Sequence, residues 1–246
     1  MHSTDDATAV PTHGDGKQML WLSPEHALAF AATFLVGFVA LAMLIAHGQT
    51  AGFDKAGLLF WRHGDALLPA GPGWVQEMVR DISALGGVTL RNWAAGAGVV
   101  ALLFLGRRAP ALMLAITVAS GWLVNTGAKL AFDRARPQIV PHLAEASGAS
   151  FPSGHSFNGA VVYITLALLF AAISTRRQVR NMLIACAFIV SAAIAMSRVW
   201  LGVHYPSDVA AGWMAGAGWA FVCVAVLHRP VQRLTAPTAR TLPPAG

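Results

Sequence analysis

Two histidines, a carboxylate, three cations and a serine–glycine turn are concentrated in three short strings of this chain: 129–137 (KLAFDRARP), 152–155 (PSGH) and 197–208 (SRVWLGVHYPSD). Such a set is equipped to attack a phosphate ester through a histidine nucleophile. His204 and Asp208 lie four residues apart, a spacing that shares one helical face, and Pro206 suits the first turn of a helix that would also hold Asp208. A carboxylate that accepts the Nδ1 proton of an imidazole fixes its tautomer, leaves Nε2 free to attack and stabilises the charge that builds on the ring. Taken alone, the same pair also suits a satisfied interface histidine beside a helix N-terminal anion.

His155 follows Ser153 and Gly154 and precedes an apolar stretch. Ser153 is a good N-cap, Gly154 permits close backbone approach, and the free N–H groups of a helix start can cradle phosphate oxygens. His155 would then protonate the leaving oxygen. In isolation PSGH reads equally as a capping turn. Lys129, Arg136 and Arg198 supply positive charge for a transition state whose equatorial oxygens share negative charge. Arginine can fork two bonds onto such oxygens, whereas lysine acts as a point charge, and Arg136 before Pro137 favours an extended backbone. The competing role for these cations is anchoring at a membrane interface, and Arg134 is assigned to it. No HExxH, CxxC or clustered-carboxylate pattern accompanies them, so neither a metal nor a cofactor is expected. Cys186 and Cys223 fall within apolar stretches and read as inert packing.

The elements that must position these residues are set by composition. Of 246 residues, 56% are hydrophobic and only 11% charged, and the mean hydropathy is +0.57. A soluble domain carries about 25% charged residues, so a membrane protein is the economical reading. The net charge of +6 forms no basic stripe interleaved with aromatics, which argues against a nucleic-acid partner. A spanning helix needs about 20 mostly apolar residues. Residues 27–46, 110–130, 157–173, 182–196 and 209–227 meet or approach this, and a shorter stretch, 92–105, extends back through Val88 and puts Arg91 where it can snorkel to an interface.

The expected architecture is therefore all-α, a six-transmembrane-helix bundle with an interfacial helix or a loop between the first two spans. Within that connection, Phe53, Leu58, Leu59, Phe60 and Trp61 beside Lys55, Arg62 and His63 look amphipathic. The polar stretch 1–20, which has no basic n-region, is expected to be a disordered tail and not a cleaved signal. Residues 21–228 form the membrane domain, and 229–246, with four prolines, form a second disordered tail. Gly212 and Gly216 make a GxxxG pair suited to packing inside the bundle or to a dimer contact. Arg107 with Arg108, Arg176 with Arg177 and Arg180, and the C-terminal arginines mark one side as cytoplasmic, so all three strings face outward.

In order and spacing, KxxxxxxRP, PSGH and SRxxxxxHxxxD resemble the three-part signature of the type 2 phosphatidic acid phosphatase superfamily, whose membrane members are six-helix lipid phosphatases. Every signature position is met: Lys129, Arg136 and Pro137; Pro152, Ser153, Gly154 and His155; Ser197, Arg198, His204 and Asp208. The resemblance implies that His204 forms a phosphohistidine, that Asp208 orients it, and that His155 protonates the departing group and then activates water. It also implies that Lys129, Arg136, Ser153, Gly154 and Arg198 hold the phosphoryl group. The expected substrate is a lipid phosphate at the periplasmic face of a bacterial inner membrane: undecaprenyl pyrophosphate is favoured, and phosphatidylglycerol phosphate and phosphatidic acid are candidates. Arginine outnumbers lysine and alanine is abundant, as in GC-rich bacteria. The same phosphohistidine would serve a lipid phosphotransferase, and a lipid-binding or transporting protein could keep the pocket without the chemistry. A soluble vanadate-dependent haloperoxidase shares the signature but not the apolar spans. The residues do not specify an oligomeric state.

Overall fold

The computed structural model describes residues 22–69 and 71–235. The expected tail over 1–20 lies outside them. Apolar runs bounded by turn residues become α1 (Pro24–Ala46), α2 (Ala51–Leu59), a small hairpin of β1 (Arg62–His63) and β2 (Leu68–Pro69), α3 (Gly73–Leu85), α4 (Val88–Phe104), α5 (Arg108–Phe132), α6 (Gly154–Ile173), α7 (Arg177–Trp200) and α8 (Pro206–Thr235). The architecture is all-α apart from the hairpin. Five helices (α1, α5, α6, α7 and the first 22 residues of α8) are individually long and apolar enough to cross a membrane. The sixth span is a bent one, because α3 and α4 qualify only as a pair, with 50° between them.

That bend has a steric reason. A Cβ on Gly86 would run into the Ile194 side chain and lie 3.3 Å from the His155 ring, so a glycine lets the α3–α4 corner press against α6 and α7. Arg91, expected to snorkel outward, is instead buried just past this corner, where Nη1 donates to the Gly86 carbonyl at 3.4 Å.

α6 is the most enclosed span, with 72% of its apolar window buried. α8 packs on it through the GxxxG pair: a Cβ on Gly212 would stand 2.7 Å from the Ser153 carbonyl oxygen, and one on Gly216 would collide with the Phe157 carbonyl. The two glycines therefore serve close packing inside the bundle. α8 does not end at residue 228 but runs on through Pro230 to Thr235, with Val231 buried in the main core. The C-terminal tail expected from 229 thus begins as helix, and 236–246 lie outside the described residues.

Successive spans alternate in direction. This brings the C-terminal ends of α1, α5 and α7 and the N-terminal ends of α6 and α8 to one end of the bundle. α2 and the hairpin sit at that end too. α2 is the interfacial element expected between the first two spans: Phe53 and Phe60 are exposed, Asp54 and Leu58 are buried, and it packs on α7 and α8.

Candidate active site

α5 stops one residue before Asp133, whose left-handed conformation (φ 36°) ends the helix and turns the chain into the connection 133–153. This turn separates Lys129, still in the last turn of α5, from Arg134 and Arg136 in the irregular segment that follows. At the far end of the connection Ser153 takes the N-cap position of α6 with extended dihedrals. The third string begins in the last turns of α7, passes a tight turn with Gly202 at φ 78°, and re-enters helix at Pro206.

The three strings meet around a cavity of about 740 Å³ lined by Lys129, Arg136, Gly154, His155, Arg198 and His204 together with His142 and residues 144–147. Of the expected site residues, six therefore face the cavity. Asp208 is fully buried behind His204. Ser153 is also fully buried: its N–H donates to the Asp208 carbonyl at 3.1 Å and its Oγ accepts from Ser156 at 2.9 Å. It caps no N–H with its side chain, so the serine braces α6 against α8 and its hydroxyl does not reach the cavity. The first N–H groups of α6, from Gly154 onward, have no intrahelical acceptor and remain suited to an anion.

Each cation is held on carbonyl oxygens or a hydroxyl. Lys129 Nζ donates to Ala149 O at 2.6 Å, and Arg198 Nη1 donates to Ser83 Oγ at 2.7 Å. Arg136 donates to Gly148 O, Ser147 O and Val203 O at 3.0, 2.8 and 2.8 Å. Its Nη1 also lies 3.1 Å from His204 Nε2, so an anion docked on Arg136 would stand beside that nitrogen. Neutral partners leave the full positive charge available to a phosphoryl group.

The link between His204 and Asp208 is not the simple pair expected from their spacing. Nδ1 and Oδ2 are 3.7 Å apart, too far for a hydrogen bond. Ser150 fills the gap: its Oγ is 3.3 Å from His204 Nδ1 and donates to Asp208 Oδ2 at 2.5 Å. An Nδ1–H donating to Ser150 and a Ser150 O–H donating to Asp208 together leave Nε2 unprotonated. Burial, opposed by Asp208, pulls His204 down to about 4, so the ring is neutral near pH 7. Asp208 Oδ2 also accepts from Tyr205 N–H at 3.1 Å.

Arg134, assigned from sequence to interface anchoring, belongs to this network. Nη1 donates to Asp208 Oδ1 at 2.5 Å and Nη2 to Asp54 Oδ2 at 2.8 Å, while the guanidinium lies 4.4 Å above the Tyr205 ring. Burial lowers its proton affinity, but the two carboxylates raise it above the ordinary arginine value. Ser150, Arg134, Asp54 and Ser83 are the functional neighbours that sequence reasoning missed. The Arg-x-Arg spacing before Pro137 gave no signal, because residues i and i+2 of an extended strand share one face, whereas Arg134 and Arg136 engage different partners.

Helices this apolar, closed at one end over a cation-lined cavity, define an integral-membrane protein that handles phosphate groups. Residues 110–231 match the family model described as the PAP2 superfamily. A phosphatidylglycerophosphatase B from Bacillus subtilis is 31% identical over 147 residues, 58% of this chain and 70% of that protein. The chain belongs to the PAP2 superfamily, among its membrane lipid phosphatases. A lipid A 1-phosphatase from Rhizobium etli is 36% identical over 127 residues, 48% of this chain and 50% of that protein, so the match spans about half the length of that relative. A crystal structure of a transmembrane PAP2 type phosphatidylglycerolphosphate phosphatase from Bacillus subtilis superposes with a TM-score of 0.67 at 24% identity. The superposition covers 85% of this chain and 98% of that one and shows a shared fold.

Proposed function

We propose that this protein hydrolyses a lipid phosphate through a phosphohistidine on His204. The observation that carries the reading is the single cavity of about 740 Å³ onto which both histidines and all three cations open. His204 Nε2 attacks phosphorus while the bond to the lipid-side oxygen breaks, and the oxygen takes a proton from His155. Neutral His155 then accepts a proton from water, the resulting hydroxide attacks phosphorus, and the P–N bond breaks to release inorganic phosphate and regenerate His204. Lys129, Arg136, Arg198 and the N–H groups at the start of α6 hold the equatorial oxygens. Asp208, acting with Ser150, fixes the tautomer of His204 and balances the charge it acquires.

Phosphatidylglycerol phosphate is supported as substrate by the Bacillus relative, which shares 70% of its length with this chain. Undecaprenyl pyrophosphate is supported by the arginine-rich turns, 107–108 and 176–180, opposite the site, which by the positive-inside rule favour an outward-facing cavity. The test is phosphate release by the full chain in detergent micelles from these two lipids and from phosphatidic acid, with product analysis for phosphorylated acceptors. Release of free phosphate by the wild type, lost in His204→Ala at unchanged membrane insertion, is expected. Near-normal turnover in His204→Ala would remove the proposed nucleophile, and phosphate recovered on an acceptor instead of in solution would make the enzyme a phosphotransferase.

A further inference from the structure

α2 lies outside both the three strings and the matched segment 110–231, yet it makes two polar contacts to the start of α8. Asp54, 1% exposed, accepts from Ser207 N at 2.9 Å and from Ser207 Oγ at 2.7 Å. It thereby caps α8 from another helix, a task that Tyr205, the residue before Pro206, has no short polar side chain to perform. The same carboxylate takes one arm of Arg134, whose other arm holds Asp208. Gly57, one turn further along α2, makes the approach possible: a Cβ there would stand 2.5 Å from Pro206 Cγ. Leu58 completes the contact in a small apolar cluster with Val199 and Val209.

We infer that Asp54 is a positioning residue for the reaction, setting the place of Asp208 through Arg134 and through the first turn of α8. A lone Arg134–Asp208 pair would let the guanidinium follow the carboxylate as the charge on His204 changes. With its second arm fixed on Asp54, Arg134 becomes a strut of fixed length between α2 and α8. Asp208 is then held from both sides, by Arg134 on Oδ1 and by Ser150 and Tyr205 N–H on Oδ2. Because Asp54 and Arg134 are both largely removed from water, losing one leaves the other with an unpaired charge, so their effects have to be coupled. This inference rests on the proposed reaction for its kinetic readout but not for its spectroscopic one.

The test uses the full chain in micelles as wild type, Asp54→Asn, Arg134→Gln and the double variant. Asparagine keeps an acceptor for the Ser207 N–H and replaces Oδ2, which accepts from Arg134 Nη2 and Ser207 Oγ, by an NH₂ donor without charge. With wild-type activity established, Asp54→Asn is expected to lower kcat by about 10-fold, the loss of one strong charged hydrogen bond, at a KM within about twofold, the pattern of lost transition-state positioning. The double variant should be no worse than the poorer single one. Unchanged kcat in Asp54→Asn, a change confined to KM, or effects of the two single substitutions that multiply in the double would overturn the inference. The second readout is the titration of His204 by NMR, which needs no turnover. His204 is faced by Asp208, Arg136, Arg198 and His155, none of which is altered. Removing the Asp54 charge leaves Arg134 unbalanced and should lower the His204 midpoint by about 0.5. A wild type that releases no phosphate from any lipid would sink the proposed function, while an unmoved His204 midpoint would sink the role of Asp54.

Discussion

Replacing Ser150 by alanine tests whether the hydroxyl between His204 and Asp208 takes part in catalysis. The substitution removes a donor 2.5 Å from Asp208 Oδ2 and the nearest acceptor for Nδ1–H, 3.3 Å away, in a fully buried position where no solvent takes over. Hydrogen bonds to charged groups contribute about 1.5–3 kcal/mol. Asp208 keeps Arg134 and Tyr205 N–H, so the carboxylate stays placed and, under the proposed mechanism, the loss falls on the imidazolium that would form as His204 attacks. At about 1.36 kcal/mol per tenfold, kcat should drop about 10- to 150-fold with KM little changed. Ser150→Cys, of similar volume but a weaker donor, should fall between. The assay is steady-state phosphate release in micelles, with the thermal unfolding transition recorded for each variant. The opposing outcome is structural relaxation: His204 would need to move about 0.8 Å, from 3.7 Å to an ordinary hydrogen-bond length of about 2.9 Å, to reach Asp208 directly. A kcat within twofold of wild type would mean that the ring makes this move freely and that Ser150 is a spacer.

The pH dependence of His204 has a defined sign. Its proton affinity is lowered by burial to about 4, so as pH falls from 7 the ring should stay neutral well past the ordinary histidine value near 6.5; NMR titration against a His204→Ala control checks this, and a midpoint at 6.5 or above refutes it. Gly212→Ala puts a methyl group 2.7 Å from the Ser153 carbonyl, an overpacking that costs about 1–3 kcal/mol; it should lower the thermal transition and, by pushing α6 away from α8, activity as well. Chelator should leave turnover unchanged, and a strong loss restored by Mg²⁺ would contradict the proposed mechanism. Vanadate, which adopts the five-coordinate geometry of the transition state, should inhibit competitively.

Span count, the bent second span apart, and the convergence of the three strings at one end were legible because each rests on local pattern: apolar length for the helices, turn residues for their ends, and alternation of direction for the convergence. His155, His204, Lys129, Arg136, Arg198 and Gly154 were found the same way. What escaped were partners set by distance in space. Ser150 precedes PSGH by two residues and looks like any loop serine; only the fold, which brings it to residues 54 and 58 positions later, shows what it bridges. Arg134 was misread because an arginine near an apolar helix end is normally satisfied by water or headgroups, and the acceptor that changes its meaning, Asp54, is 80 residues earlier. Arg91 was misread for the same reason, its burial following from a glycine corner that hydropathy does not register.

The distribution of charge explains why two different kinds of arginine occupy one string. Arg136 rests on carbonyl oxygens and keeps its charge for an anion in the cavity, whereas Arg134, two residues away, is bound by two carboxylates that offset its charge. Exchanging these environments would fail in both directions. An Arg136 paired with a carboxylate would repel the incoming phosphate through that partner, and an Arg134 without Asp54 would carry an uncompensated charge toward Asp208 and weaken its hold on the imidazolium. A one-residue insertion between 134 and 136 would shift Arg136 along the connection while Arg134 stays tied to Asp54 and Asp208, and so take its guanidinium off the carbonyls of Ser147, Gly148 and Val203. It should therefore abolish phosphate release even though every residue of the motif is still present, and retention of activity in such a variant would show that the cavity tolerates either arrangement.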